Sequence, residues 1–275
     1  MTDRLSKKIA VITGAARGIG RATALRFAEE GADVVLLDIA RDIPGVPYAG
    51  AKSAQLDDAR SDVEALGGRC MALVSDVTRT DQINEAISKV MSDWGRIDIL
   101  VCAAGIDSWG KAWELSDEQW QTMIDVNLTG VWKTARAVSP AMIKQQSGAL
   151  VFIGSVLSHR ANKEFAHYTA AKHGVLGVMR AFALELAPYG IRANSVDPTV
   201  VHTDMVMNQA YLDRLGGHKG TTVEEAREHY LKWNTLPIPW AEPVDVANAA
   251  LFLASEEARA ITGVALPVDL GALLK

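Results

Sequence analysis

The sequence predicts an α/β fold in which a doubly wound parallel sheet of about seven strands carries helices on both faces. Short apolar runs alternate with longer helical patterns along the chain. Most of these runs are near-continuous in Val, Ile and Leu, as expected of parallel strands that are covered on both faces. No Pro/Gly/Ser-rich linker, low-complexity tract or repeat divides the 275 residues, so we expect residues 1–275 to form one domain.

The predicted elements follow one another in a regular order. Seven runs are predicted strands, at residues 8–13, 33–38, 71–75, 98–102, 149–153, 192–197 and 264–268. Six stretches have helical periodicity, at residues 18–30, 51–66, 81–94, 117–143, 166–188 and 243–255. Two of these helices begin with residues typical of N-caps, Thr80 and Asp81 before the third and Ser116 before the fourth.

Two segments interrupt this order. Residues 39–50 contain two prolines and two glycines directly after the second strand, and they cannot form a regular helix. Residues 204–240 lie between the sixth and seventh strands and contain several Met, Tyr and Trp side chains. Long connections at the carboxyl ends of parallel strands are where such folds bind ligands. We therefore predict an inserted loop near 39–50 and a substrate-binding lid near 204–240; ordinary packing is the alternative role for the aromatic side chains.

The composition narrows the partners and the compartment. A net charge of −5 without a basic stripe argues against nucleic acid as a partner. No apolar stretch is long enough to span a membrane, and the N-terminus lacks the pattern of a secretory signal. The two cysteines, Cys70 and Cys102, lie in apolar runs and are predicted to be buried free thiols of a cytoplasmic protein. No cluster of His, Cys, Asp and Glu has metal-ligand spacing, so no metal is predicted.

A glycine-rich turn with the spacing G-x3-G-x-G follows the first strand. It starts at Thr13 and Gly14, and Gly18 and Gly20 open the next helix. Glycine lets the backbone approach a pyrophosphate, and the helix N-terminus presents unpaired N–H groups to it. The pattern predicts a Rossmann-like dinucleotide site, and a tight turn without a ligand is the alternative.

Acidic residues after the second and third strands predict how the nucleotide is recognised. A carboxylate at Asp38 would accept the ribose hydroxyl protons of NAD and repel the 2′-phosphate of NADP, although a plain surface carboxylate would look the same. Arg17 would favour that phosphate, but an arginine near a pyrophosphate suits either cofactor, so NAD is predicted. Asp76 and Val77 are predicted to bind and cover the adenine; the alternative is that Asp76 caps the following helix.

The sequence also predicts a catalytic constellation. Tyr168 and Lys172 stand four residues apart and therefore on one face of a helix. A tyrosine has a pKa near 10, and a nearby ammonium together with a positive nicotinamide would bring it towards neutrality. Ser155 would donate a hydrogen bond to the substrate oxygen, and Asn127 would support a water chain through Lys172. The alternative is that Tyr168 and Lys172 are simply two residues of a helix without a catalytic role.

These motifs resemble those of the short-chain dehydrogenase/reductase family, and the resemblance covers essentially the whole chain. It implies a catalytic tetrad of Asn127, Ser155, Tyr168 and Lys172, and a homotetramer formed through helices such as 117–143 and 166–188 and the C-terminal segment. It also implies a set of cofactor-binding residues, namely Thr13, Gly14, Arg17, Gly18, Ile19, Gly20, Asp38, Asp76, Val77, Ala104, Gly105, Tyr168, Lys172, Val201 and Thr203.

The chain departs from the family pattern at two places. Asp197-Pro198-Thr199 stands where Pro-Gly is usual in the family. Ala103 stands where the family has an asparagine whose amide braces the centre of the sheet. The second departure bears on local packing more than on chemistry.

A closer resemblance is to the carveol dehydrogenase-like branch, which includes mycofactocin-associated members. It rests on the proline-rich segment 39–50, the run 166–174 (AHYTAAKHG) and the ending 266–274 (LPVDLGALL). It implies oxidation of a cyclic, apolar secondary alcohol, a monoterpenoid such as carveol or isopiperitenol, to the ketone with NAD, with Tyr168 as general base. In some members of that branch the inserted loop is thought to slow the exchange of the nucleotide.

Two other functions remain open at this point. One is an NAD(P)H-dependent carbonyl reductase of an acyl thioester, a quinone or a steroid; Asp38 and the lack of a basic docking patch argue against its acyl-carrier-protein form. The other is a nucleotide-sensing interaction protein that kept the fold, which the complete tetrad argues against.

Overall fold

The chain forms one seven-stranded sheet in which every neighbouring pair of strands is parallel. The structure is a computed structural model, and it describes residues 3–275. The strands are β1 (Ile9–Thr13), β2 (Asp33–Asp38), β3 (Cys70–Val74), β4 (Ile99–Cys102), β5 (Gly148–Ile153), β6 (Ile191–Pro198) and β7 (Ala265–Val268). Their spatial order is β3-β2-β1-β4-β5-β6-β7, so the connection direction reverses between β1 and β4. Doubly wound folds bind ligands at the carboxyl ends of the strands at such a reversal.

Nine α-helices lie within the described residues. They are α1 (Gly18–Glu29), α2 (Ser53–Ala65), α3 (Thr80–Trp94), α4 (Asp117–Ile124), α5 (Gly130–Gln145), α6 (Ala166–Leu186), α7 (Gln209–Gly216), α8 (Val223–Trp233) and α9 (Pro243–Ala254). Helices α1, α2 and α9 share one apolar core with one face of the sheet, and α3, α5 and α6 share a second core with the other face. The predicted doubly wound α/β fold is confirmed.

The two cores explain why the strands read as unbroken apolar runs. In β1, Ala10 and Ile12 point into the first core, and Ile9 and Val11 point into the second. Side chains alternate across a strand, so both sets of side chains are buried in a strand that is covered on both faces, and apolar residues predominate there.

The predicted helix at 117–143 is interrupted. It consists of α4 and α5 joined by a π-helical turn, Asp125–Thr129. Ser116 caps α4 as predicted, because its side chain accepts a hydrogen bond from the N–H of Gln119 at 3.1 Å. The predicted cap at Thr80 and Asp81 was wrong, since Thr80 is already the first helical residue of α3 and its N-cap, Arg79, makes no side-chain cap.

The two irregular segments lie at the carboxyl end of the sheet. Residues 39–50 form neither helix nor strand, as predicted. Residues 204–240 contain α7 and α8, whose apolar faces pack in a separate small core with Leu157 and Phe165. Both cysteines are free thiols, Cys102 buried and Cys70 half-buried, and burial raises the pKa of Cys70 to about 12. Within residues 3–275, no helix has both the length and the apolar character to cross a membrane.

Candidate active site

Two adjoining cavities lie at the carboxyl ends of β1, β4 and β5. The first, here called the nucleotide cavity, is lined by eleven of the predicted cofactor-binding residues, namely Gly14, Arg17, Gly18, Ile19, Gly20, Asp38, Asp76, Val77, Ala104, Gly105 and Thr203. The second, the substrate cavity, contains the four predicted catalytic residues, Asn127, Ser155, Tyr168 and Lys172, together with Val201. The residues of each predicted set are therefore brought together, with Thr13 as the exception because it lines neither cavity.

The glycine turn has the geometry of a phosphate cradle. Gly14 and Gly18 have φ values of +66° and +55°, in the region that favours glycine. A Cβ atom at Gly14 would lie 2.7 Å from the Cα of Ala104, and one at Gly20 would lie 2.1 Å from the carbonyl oxygen of Gly14. No side chain caps the N-terminus of α1 at Arg17, so its first N–H groups face the cavity free to bind an anion. These features fit the pyrophosphate of a dinucleotide.

Thr13 connects the ends of β1 and β4 at the site. Its Oγ1 accepts hydrogen bonds from the N–H groups of Ala103 and Ala104, each at 3.1 Å. These bonds join the ends of β1 and β4 where the sheet reverses its connection direction. The Thr13 hydroxyl bonds both N–H groups, so this junction stays connected although Ala103 has no asparagine amide.

Asp38 presents a fixed carboxylate to the nucleotide cavity. It is buried, its Oδ2 accepts from the N–H of Ala16 and its Oδ1 from the N–H of Ala40, each at 3.0 Å. Each carboxylate oxygen keeps a further lone pair, so the group is oriented and still able to accept from ribose hydroxyls. The same charge would oppose a 2′-phosphate.

The side chain of Arg17 is already hydrogen-bonded to two other residues. Its guanidinium donates to Oδ2 of Asp204 at 3.0 Å and to the carbonyl of Ala49 at 2.7 Å, and it lies 5.8 Å from the ring centre of Tyr48. These contacts tie the glycine turn to both irregular segments. A guanidinium held in this way is not a free partner for a 2′-phosphate.

Asp76 does not cap α3. Its Oδ1 accepts from the N–H and the hydroxyl of Thr78, and its Oδ2 accepts from Arg41 at 2.8 Å. The carboxylate therefore fixes the loop after β3 and the inserted segment, beside Val77 in the lining of the nucleotide cavity. Its contact with adenine stays a prediction.

Residues 39–50 extend across the nucleotide cavity. Ile43 and Val46 pack against a small apolar cluster that includes Ile106 and the ring of Tyr168. At the far end, the hydroxyl of Tyr48 accepts a hydrogen bond from the N–H of Asp107 at 3.0 Å. The segment therefore bridges the nucleotide cavity and reaches the edge of the substrate cavity, which its sequence did not reveal.

The catalytic residues are held by distinct elements. Lys172 lies one turn after Tyr168 on α6, with its Nζ 5.6 Å from the Tyr168 ring centre and donating to the carbonyl of Ile153 at 2.8 Å. Ser155 follows β5, where its Oγ accepts a hydrogen bond from the N–H of Leu157 at 3.1 Å, and it lines the substrate cavity with Tyr168. Asn127 lies in the π-helical turn, where its Oδ1 accepts from the N–H of Ile106 and its Nδ2 donates to the Ile106 carbonyl, each at 2.8 Å.

Burial is the largest influence on the pKa values of Tyr168 and Lys172. It lowers the pKa of Lys172 to about 8, against the opposing charges of Asp197 and Asp107. It raises the pKa of Tyr168, and the charge of Asp107 adds to that rise while the hydrogen bond from Ser155 opposes it. The protein's own groups therefore keep Tyr168 protonated, and the positive charge of an oxidised nicotinamide is needed to favour the phenolate.

Two buried polar contacts and one buried carboxyl near the site were not predicted. Asp197 is fully buried and its Oδ2 lies 2.5 Å from Nε2 of His159. Ser108 and His167 form a buried hydrogen bond of 2.9 Å. Asp107 is a buried carboxyl in the lining of the substrate cavity. The one available signal was the position of residues 107–108 just after β4, at the ligand-binding end of the sheet.

Asp107 makes stability depend on pH. Burial raises its pKa from the ordinary 3.8 to about 7, although Arg214 and Lys172 oppose the rise. Protonation is thus favoured by folding, and the free energy of unfolding falls as pH rises between these two values. We expect Asp107→Asn to raise the free energy of unfolding by about 2–4 kcal/mol at pH 8 and to change it little at pH 4.

Thermal unfolding of the variant and the wild type at both pH values measures this effect. Glu85→Gln, which removes an exposed carboxylate from α3, is the matched control and should shift neither melting temperature. Equal shifts of Asp107→Asn at both pH values would contradict the prediction.

A cluster suited to a metal ion is absent from the described residues, 3–275.

The comparisons with known proteins agree with the geometry. A family model described as enoyl-(acyl carrier protein) reductase matches residues 14–272. The chain is 42% identical over 275 residues to (−)-trans-carveol dehydrogenase of Rhodococcus erythropolis, covering 99% of each chain. It belongs to the short-chain dehydrogenase/reductase family.

Further relatives place the chain within this family. The crystal structure of carveol dehydrogenase from Mycobacterium avium in complex with NAD superposes with a TM-score of 0.97 at 41% identity, covering 99% of each chain. The 3-oxoacyl-(acyl-carrier-protein) reductase of Thermotoga maritima is 37% identical over 272 residues, covering 98% of this chain and all of that one. The predicted resemblance to carveol dehydrogenases is confirmed.

Proposed function

We propose that this protein oxidises a cyclic, apolar secondary alcohol of the monoterpenoid type to the ketone, with NAD as hydride acceptor and Tyr168 as general base. The observation that carries the proposal is the substrate cavity. Its walls around Ser155 and Tyr168 are mostly apolar, with contributions from Leu157, Phe165, Met205, Val206, Tyr211 and Trp233. The carveol dehydrogenase relatives support the same substrate class.

The chain is an NAD-dependent alcohol dehydrogenase, and the predicted cofactor is confirmed by its NAD-bound structural neighbour. When bound, NAD accepts the hydride on its nicotinamide ring and supplies a positive charge beside Tyr168. In the proposed roles, Ser155 donates a hydrogen bond to the alcohol oxygen, and Tyr168 removes the hydroxyl proton. The ammonium of Lys172 stabilises the phenolate, and Asn127 positions the backbone at Ile106, which lines both cavities.

The proposed lid is fastened to the rim of the substrate cavity by Arg214 on α7. Its guanidinium donates to Glu164 at 2.9 Å and stacks over Phe165 with a ring distance of 4.6 Å. The rings of Trp109 and Tyr211 lie 5.6 and 6.0 Å away. Phe165 and Tyr211 of this cluster line the substrate cavity, so this side of the cavity has an aromatic wall.

We also propose that the inserted loop slows release of the nucleotide. Tyr48→Phe removes the hydrogen bond to the N–H of Asp107 and leaves the ring in place. We expect NADH to dissociate about 5-fold faster, as for the loss of one net hydrogen bond. Stopped-flow fluorescence of NADH release measures this rate, and Tyr189→Phe, at an exposed tyrosine, is the matched control. An unchanged rate in Tyr48→Phe would mean that the loop does not retain the nucleotide.

The direct test is to follow NADH formation by the purified protein with a panel of cyclic alcohols, carveol and isopiperitenol included. Sustained turnover with NAD and little with NADP is expected. If the panel gives no signal, denaturing the same sample and assaying released NAD identifies a tightly held cofactor that needs an external acceptor. No turnover and no released NAD would refute the proposal.

One observation favours a second candidate, reduction of an acyl thioester. The relative from Thermotoga maritima is a 3-oxoacyl-(acyl-carrier-protein) reductase at 37% identity. Efficient reduction of a 3-oxoacyl thioester with NADPH, together with inactivity on cyclic alcohols, would establish this alternative. Asp38 speaks against it, because in its proposed place beside the ribose its charge would repel the 2′-phosphate of NADPH.

We propose a homotetramer in the cytoplasm. Helices α4, α5 and α6 expose large apolar side chains, with Trp120 42%, Trp132 39% and Leu184 78% accessible. Such side chains favour burial against another copy of the chain. Light scattering on the eluting protein should give four times the 29.6 kDa mass of one chain.

A further inference from the structure

One buried carboxyl has no role in the fold or in the proposed chemistry. Asp107 is only 5% exposed, and its Oδ1 accepts no hydrogen bond from any residue between 3 and 275. A buried polar atom without a partner is costly, and native proteins rarely keep one without a use. The group therefore requires an explanation.

The backbone around Asp107 is held at three successive residues by side chains from elsewhere. Asn127 bonds both the N–H and the carbonyl of Ile106. Tyr48 accepts from the N–H of Asp107, and His167 bonds the hydroxyl of Ser108. The carboxyl is thus positioned by its neighbours, while its Oδ1 makes no bond that would hold them. This is the arrangement expected of a binding group that is preorganised for a ligand.

The carboxyl lines the same cavity as Ser155 and Tyr168. The cations of Arg214 and Lys172 act to lower the pKa of this carboxyl. The charge of Asp107 in turn raises the pKa of four phenols, those of Tyr48, Tyr168, Tyr211 and Tyr230. Arg214 is already paired with Glu164, and Lys172 with the Ile153 carbonyl. Neither cation is therefore a free hydrogen-bond donor for the carboxyl, and a molecule in the cavity that Asp107 lines can supply one.

We infer that Asp107 is a specificity-determining residue and that the substrate carries a second hydroxyl group, which donates a hydrogen bond to Asp107. The inference rests on the proposed oxidation of a cyclic alcohol and narrows it to a ring that bears two hydroxyls. A neutral donor suits the site better than an ammonium, because two cations already face the carboxyl. Both the ionised and the protonated carboxyl keep an acceptor oxygen, so the contact forms on either side of neutral pH.

The test compares cyclohexanol with 1,2-, 1,3- and 1,4-cyclohexanediol in the wild type, Asp107→Leu and Asp107→Asn. In the wild type, at least one diol is expected to exceed cyclohexanol in kcat/KM by about 10- to 100-fold, as for a hydrogen bond to a charged group. In Asp107→Leu this ratio should fall to about 1. Asp107→Asn keeps an acceptor oxygen and should keep part of the preference. Glu85→Gln is the matched control and should keep all of it.

Binding is measured in parallel by calorimetric titration of the NAD-loaded protein with the same four compounds. If the wild type oxidises none of them but binds a diol more tightly than cyclohexanol, and Asp107→Leu loses that difference, the inference stands while the proposed reaction fails. The inference is overturned if no diol is preferred by the wild type in either measurement. It is equally overturned if Asp107→Leu, folded by circular dichroism, keeps the wild-type ratio.

Discussion

Tyr168→Phe is expected to lower kcat by about 1,000-fold while leaving the affinity for NADH within about 3-fold. In the proposed function the phenol hydroxyl exchanges a proton with the substrate, and general acid–base catalysis contributes about 100- to 10,000-fold. The ring itself, packed beside Phe165 at a centroid distance of 6.3 Å, is kept by phenylalanine. Steady-state kinetics with a cyclic alcohol and fluorescence titration with NADH measure the two quantities.

The control for this change is Tyr189→Phe, which removes a hydroxyl from an exposed tyrosine outside both cavities. Its kcat should equal that of the wild type. If Tyr168→Phe kept more than about a tenth of the activity, another group would have to be the base. A protein that only senses nucleotides would be unaffected by either change.

The second large effect is expected at Asp38. Its carboxylate is oriented by the N–H groups of Ala16 and Ala40 and faces the nucleotide cavity. Asp38→Ser removes the predicted acceptor of the ribose hydroxyls together with the charge that would repel a 2′-phosphate. We expect the ratio of kcat/KM for NAD to that for NADP to fall by about 100-fold or more. Initial rates at a fixed alcohol concentration with each cofactor give this ratio.

Because Asp38 also holds two backbone groups, Asp38→Asn serves as the second variant. The amide keeps one of the two acceptor oxygens for the backbone and removes the charge, so the NAD/NADP ratio should fall in this variant as well. Asp57→Ser, at an exposed carboxylate of α2, should leave the ratio unchanged. A wild-type ratio in both Asp38 variants would show that this residue does not face the ribose.

Much of the fold was predictable because its determinants are local. Two-sided burial makes these strands near-continuous apolar runs, so β1 and β2 could be placed to within a residue or two from their Val, Ile and Leu residues. The glycine turn was predictable because Gly14 and Gly20 pack against backbone atoms that leave no room for a Cβ. Tyr168 and Lys172 were recognisable because helical geometry converts a spacing of four into a shared face.

What escaped prediction depends on residues far apart in the chain. Arg17 is paired with Asp204, 187 positions away, so its engagement could not be inferred from the turn in which it lies. Tyr48 meets the backbone of Asp107 across 59 positions. No local sequence pattern predicts the unpartnered oxygen of Asp107 or the pairing of His159 with Asp197. Such contacts are set by tertiary packing, which a single sequence does not display.

The π-helical turn at Asp125–Thr129 constrains the length of this chain as well as its composition. A π turn contains one residue more than the α-helical turn it replaces, and each residue of an α-helix rotates the next side chain by about 100°. Deleting one residue here would allow α4 and α5 to merge into a regular and intrinsically more stable helix. It would also change the phase of one half against the other, so that Asn127 and Thr134 could not both keep their present directions. An insertion or deletion in this turn is therefore far more damaging than any single side-chain replacement on the outer face of α5.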